Sequence, residues 1–220
     1  MKDLTISQGY FLCGANDKGS IGGLNTERRV CLVAAALLEL RLASCAQLDR
    51  KTVTVTAPLP AEQAHLRPLY DYLVEAGGTC KTEKLLRDYT YAATDTRLNA
   101  LQTAIGASLV SLDLAQPVKT GLLKGKQGFL PCREAVAQVV ARMREELLGP
   151  GQAGEETAIL VILLDLGKSL KPYFSAFEQT QMKQTLRAME KSPTGKMVRE
   201  MVEYLQNLMS TVTTFMMLLS

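Results

Sequence analysis

Nine consecutive residues, Val30–Leu38, carry no polar side chain, and they lie inside the stretch Thr26–Leu48 (TERRVCLVAAALLELRLASCAQL). A helix at a protein surface keeps one polar side, so a helix apolar on nearly every face must be buried. A bilayer span needs about 20 apolar residues, and this run is far shorter. Three consecutive alanines, Ala34–Ala36, favour helix and are depleted in strands. Thr26 is a candidate N-cap, and Glu39 and Arg41 flank Leu40 at the far end. The chain is therefore expected to fold around this helix, with the remaining helices wrapped about it.

The bulk numbers narrow the chemistry. A chain of 220 residues suits a single domain, here taken as residues 1–220. With 47% hydrophobic and 21% charged residues the balance is globular. A net charge of +3 does not by itself argue for nucleic acid, and no basic recognition helix or interleaved aromatics are present. The five cysteines (Cys13, Cys31, Cys45, Cys80, Cys132) are odd in number and form no CxxC pair. That argues against a disulfide framework or structural zinc. Cys31 and Cys45 are expected on the central helix as buried small hydrophobes. The N-terminal MKDLTISQGYFLCG lacks a sustained apolar core and a cleavage pattern, so a cytoplasmic location is expected. His65 is the only histidine, so every Ser–His–Asp or Cys–His arrangement would need it, and its Pro-flanked setting suggests a solvated surface residue. Glu145/Glu146 and Glu155/Glu156 are expected at exposed helix ends. No catalytic residue, metal or cofactor is assigned, and the chain is not expected to be an enzyme. The glycine cluster Gly19–Gly23 has no strand before it and no GKS or GKT after it, so it reads as a loop, not a phosphate cradle.

Periodicity orders the rest. Leu4–Gly14 reads as a short helix, with Thr5 or Ser7 near its start. Arg50–Thr56 alternates as a strand. His65–Ala76 reads as a helix stopped by Gly77-Gly78, and Thr79–Tyr91 as another. In Asp95–Leu114, Leu98, Leu101, Ile105 and Leu109 share one face. Arg133–Leu148 is amphipathic, Thr157–Leu166 is apolar all round, and Lys168–Glu190 carries Tyr173, Phe174 and Phe177. A last helix runs from about Val198 into the apolar Phe215–Leu219, which is expected to pack in the core. The fold class is all-α: a single helical domain around a buried central helix bundle, with a projecting β-hairpin.

That hairpin is expected in Leu114–Cys132 (LAQPVKTGLLKGKQGFLPC), which contains three glycines and no acidic residue. Leu122, Leu123, Phe129 and Leu130 flank its tip, among Lys119, Lys124 and Lys126. On one reading the apolar four enter a membrane interface while the lysines meet anionic headgroups. On the other the lysines are solvated, and the apolar residues pack on the body or in a homo-oligomer interface.

The ordered set of features resembles the Golgi phosphoprotein 3 family (the GPP34 domain). The resemblance rests on Leu4-Thr5-Ile6 with Asn16-Asp17-Lys18-Gly19, and on Leu37-Leu38-Glu39-Leu40 ahead of a short strand and a Pro-containing turn. It rests also on Leu109-Val110 before the Lys126–Leu130 (KQGFL) segment, and on the amphipathic helix followed by Ala158–Leu166. It implies a helical domain with a projecting hairpin that binds phosphatidylinositol 4-phosphate on membranes and tethers cytosolic tails of membrane enzymes. The family's headgroup site uses a tryptophan before the central helix, an arginine at its start and two arginines on the helix before the hairpin. This chain has no tryptophan; Leu24 or Asn25 stands near that place, Val33 at the helix arginine, and Asn99 and Gln102 near the pair. Headgroup contacts are instead expected from Arg28, Arg29 and Arg97 together with Lys119, Lys124 and Lys126. The resulting expectation is a cytoplasmic, peripherally membrane-associated module. The alternative is a protein-interaction adaptor or oligomeric scaffold without lipid contact.

Overall fold

A computed structural model describes residues 4–22, 25–92, 94–120, 126–150, 153–192 and 196–219, without the side chains of 126, 212 and 214–219. The nine-residue apolar run lies in α2 (Thr26–Leu42), where every residue from Val30 to Leu40 is buried. Asn25, not Thr26, caps it: the Asn25 Oδ1 accepts from the Arg28 N–H at 3.0 Å. The helix stops six residues earlier than its composition suggested. Ser44 takes φ 57°, and the Cys45 N–H turns back to the Leu40 carbonyl. Cys45 is buried as expected, but in this turn and not on the helix.

Around α2 pack α1 (Ile6–Gly14), α4 (Thr82–Thr90), α7 (Glu155–Leu166) and α9 (Lys196–Leu219). α5 (Thr96–Ser111) lies against α1, α3 (Arg67–Glu75) and α4, while α6 (Arg133–Leu148) carries α8 (Ala176–Lys191) on its outer side. Leu98, Leu101, Ile105 and Leu109 all face inward on α5, as their spacing predicts. Among the described residues no helix is long and apolar enough to cross a membrane.

The fold is predominantly α-helical with a β-hairpin, but it also holds a second sheet. β1 (Ala46–Leu48), β2 (Thr52–Val55) and β3 (Thr79–Lys81) form an antiparallel sheet in that order. Val53 sits opposite Leu48 on one side and Cys80 on the other. β2 matches the alternating strand, whereas β1 and β3 were hidden as three-residue pieces at the end of one helical pattern and the start of another. Gly77 and Gly78, at φ 87° and 77°, turn α3 into β3. A 3-10 segment, Ala61–Leu66, precedes α3 and takes His65 into the interior rather than to the surface. The Lys168–Glu190 helix is likewise shorter, because Lys168 takes φ 55° and α8 starts only after its N-cap, Ser175.

Candidate functional site

The hairpin consists of β4 (Ala115–Thr120) and β5 (Lys126–Pro131), paired from Ala115↔Pro131 to Thr120↔Lys126. Its root is clamped. The Phe129 ring lies over Gly106 of α5, where an added Cβ would come within 2.2 Å of the ring. The Phe129 N–H donates to the Gly19 carbonyl at 2.7 Å. Gly19 (φ 66°) and Gly128 let the loop after α1 and the hairpin meet backbone to backbone; a Cβ on Gly128 would lie 2.1 Å from the Lys18 carbonyl. The loop glycine and the hairpin glycine thus have a packing role that no phosphate motif explains.

This clamp corrects one expectation. Phe129 is only 3% exposed and belongs to the core, so it is not a membrane-inserting residue. Leu130 is half-buried. Lys119 is exposed and has no ion-pair partner among the described residues. Leu122, Leu123 and Lys124 lie outside the described residues, as does the Lys126 side chain.

Arg28 and Arg29 lie on the first turn of α2 and Arg97 on the first turn of α5, and each has its own partners. Arg28 donates from Nε to the Gly167 carbonyl (3.2 Å) and from its guanidinium to the Lys168 carbonyl (3.3 Å). A cation there complements the negative end of α7. Arg29 pairs with Asp95, the N-cap of α5, and its side chain is 14% exposed. Arg97 is exposed, with its guanidinium 5.1 Å from the centre of the Tyr72 ring, a cation–π distance. Arg28 and Arg29 are therefore engaged inside the fold, and Arg97 keeps an open side.

The positions near the family's headgroup arginines are also engaged. Val33 is fully buried. Gln102 is buried on α5, and its Oε1 accepts the Ile21 N–H at 2.6 Å, tying the loop before α2 to that helix. Asn99 is exposed.

Other cations escaped sequence reasoning. Lys18 is exposed beside the hairpin clamp, and Lys168 and Lys171 are exposed in the turn between α7 and α8. The Lys168 Nζ reaches Glu27 on the first turn of α2 at 2.6 Å, which draws the Glu27 carboxyl below its ordinary range. The Tyr173 hydroxyl donates to the Cys13 carbonyl at 3.0 Å, holding that turn against the end of α1. Gly167 was the available signal: it marks the end of α7 and places two lysines in the turn that follows. Elsewhere, a polar groove between β1 and α9 is lined by Arg41, Arg50, Glu200 and Glu203, with Arg41 already paired to Glu200. Among the described residues no cluster of three His, Cys, Asp or Glu side chains could hold a metal ion.

A helical body wound around one buried helix, with a glycine-clamped hairpin on its flank, is the class of protein these elements define. The sequence profile of the Golgi phosphoprotein 3 (GPP34) family matches residues 6–205, and the chain belongs to that family. Among curated proteins, none matches it.

Proposed function

We propose that this chain is a non-enzymatic module that docks reversibly on anionic membranes, with the hairpin as its leading element. The observation that carries this reading is the hairpin's mounting. A segment free of acidic residues is clamped at its root by Phe129, Gly106 and Gly19, and it holds Lys119 exposed and without an ion-pair partner among the described residues. Each lysine near an anionic surface contributes about 1 kcal/mol. Three hairpin lysines therefore give weak docking that salt screens. Leu122 and Leu123 add an apolar contribution by entering the interface. With Val33 in the core and Gln102 bonded to the loop, the docking reads charge and not the 4-phosphate specifically.

The test is co-sedimentation with neutral, anionic and phosphoinositide-containing vesicles across a salt series. The wild type is compared with the triple variant Lys119→Ala, Lys124→Ala, Lys126→Ala. Salt-sensitive binding that the variant loses supports the reading, and anionic vesicles matched in charge should bind equally well with or without the phosphoinositide. Absence of binding at low salt refutes it and favours the adaptor.

A further inference from the structure

Phe177 is the most exposed large apolar side chain among the described residues, at 71%. It does not hang from a loose segment. It occupies the first turn of α8, where Ser175 and Glu178 form a reciprocal capping box. Arg144 of α6 holds this turn from below: it pairs with Glu178 at 2.9 Å, donates to the Tyr173 carbonyl and lies 5.0 Å from the centre of the Phe174 ring. Phe174 is buried beneath and Tyr173 is tied to Cys13, so Phe177 stands on a fixed platform and points to water.

Its surroundings specify the partner. Lys171, Pro172, Ser175 and Ala176 are exposed with it. Residues 167–177 contain no acidic side chain, and Glu178 is turned toward Arg144 and Ser175. Lys171 has no ion-pair partner among the described residues. An exposed aromatic ring on a rigid turn that also carries an unpaired lysine matches an anionic bilayer, where the ring passes the headgroups and the Lys171 ammonium stays among the phosphates. The turn is continuous with the hairpin end. Tyr173 anchors it to the last turn of α1, and the hairpin packs on the loop that leaves that helix.

We propose that the α7–α8 turn is a second membrane anchor, in which Phe177 inserts and Lys171 contacts lipid phosphates. This rests on the membrane-docking reading and deepens it: two separated contacts fix the orientation of the body on the bilayer.

The chain has no tryptophan, so Phe177→Trp creates a single fluorescent reporter. Gln47→Trp, at the exposed position of β1 beyond the other end of α2, serves as the control position. Both are titrated with phosphatidylcholine–phosphatidylserine vesicles with and without brominated acyl chains, beside wild-type co-sedimentation. The expected result is a blue shift and bromine quenching for Phe177→Trp, neither for Gln47→Trp, and about tenfold weaker binding of Phe177→Ser. If the wild type co-sediments while the Phe177→Trp indole stays in water, the second anchor is refuted and hairpin docking stands. If the wild type fails to co-sediment, both fall. A blue shift that grows with protein concentration in the absence of lipid assigns Phe177 to a contact between copies and overturns the anchor.

Discussion

The buried pair Glu39–His65 should be among the most sensitive points of the fold. Glu39 lies in the middle of the structure although it carries a charge-bearing group, and its two oxygens hold two other elements. Oε2 accepts the Ser7 N–H at 3.0 Å, one of the donors left open at the start of α1. Oε1 meets the His65 Nε2 at 2.5 Å. The Thr5 hydroxyl approaches the same Nε2 at 3.4 Å, so both contacts use one ring nitrogen and the histidine cannot relay a proton between them. Glu39→Ala strips partners from two buried groups, and breaking a buried pair in this way costs about 3–5 kcal/mol. Glu39→Gln keeps the volume. Its oxygen can accept from Ser7, and its amide can donate to His65 in the tautomer with Nε2 unprotonated. Only the charge assistance is lost, about 1–2 kcal/mol. Equilibrium denaturation in urea reads both losses, and a cycle with His65→Ala should show the double variant destabilised by less than the sum of the singles. The reasoning is refuted if Glu39→Ala stays within about 1 kcal/mol of wild type, or if Glu39→Gln is as damaging as Glu39→Ala.

Three further outcomes follow from single contacts. Gly106→Ala drives a methyl into the Phe129 ring, so it should destabilise the chain by about 1–3 kcal/mol and speed amide exchange through β4 and β5; unchanged exchange there would contradict the clamp. Burial pushes the Cys13 and Cys31 thiols up to about 12, and Cys45 and Cys80 are also buried. A thiol reagent at mildly alkaline pH should therefore modify only half-buried Cys132 quickly in the folded chain, and all five in denaturant. The Ser175 backbone N–H, then Arg144 and the Ser175 hydroxyl, hold the Glu178 carboxyl down from 4.5 to about 2. A depressed carboxylate stabilises the fold above its unfolded value and loses that contribution as pH falls. Protection of the first-turn amides of α8, taken relative to their intrinsic exchange rates at each pH, should thus fall between about pH 4.5 and pH 2, and Glu178→Gln should flatten this dependence.

Long periodic patterns told the sequence's story well. α6 matches its amphipathic segment residue for residue, and α5 buries the four residues its spacing selects. The misses are short and local. A three-residue strand has too few positions to show a period, and β1 and β3 each abut a helix whose pattern absorbed them. His65 misled for a different reason. Its burial is licensed by Glu39, 26 residues earlier in the chain, and no local pattern reports a tertiary hydrogen-bond partner.

The site was half visible for the same reason. Composition can show where cations cluster, but not which of them have partners inside the fold. Arg28 and Arg29 looked like the natural headgroup ligands at the start of the central helix, yet one closes the end of α7 and the other holds the cap of α5. Lys119, expected among the headgroup contacts, and Lys171, which no sequence pattern singled out, remain unpaired among the described residues. That division has physical logic. A guanidinium presents a fixed fork that suits carbonyl and carboxylate partners within a fold, whereas a lysine ammonium stays hydrated on a flexible stem. On this reading the arginines hold together the end that faces the membrane, and the lysines meet the lipid. Lysine-to-alanine changes should then weaken vesicle binding without altering denaturation, while Arg28→Ala should lower stability first. Equal loss of stability from Lys171→Ala and Arg28→Ala would erase the distinction.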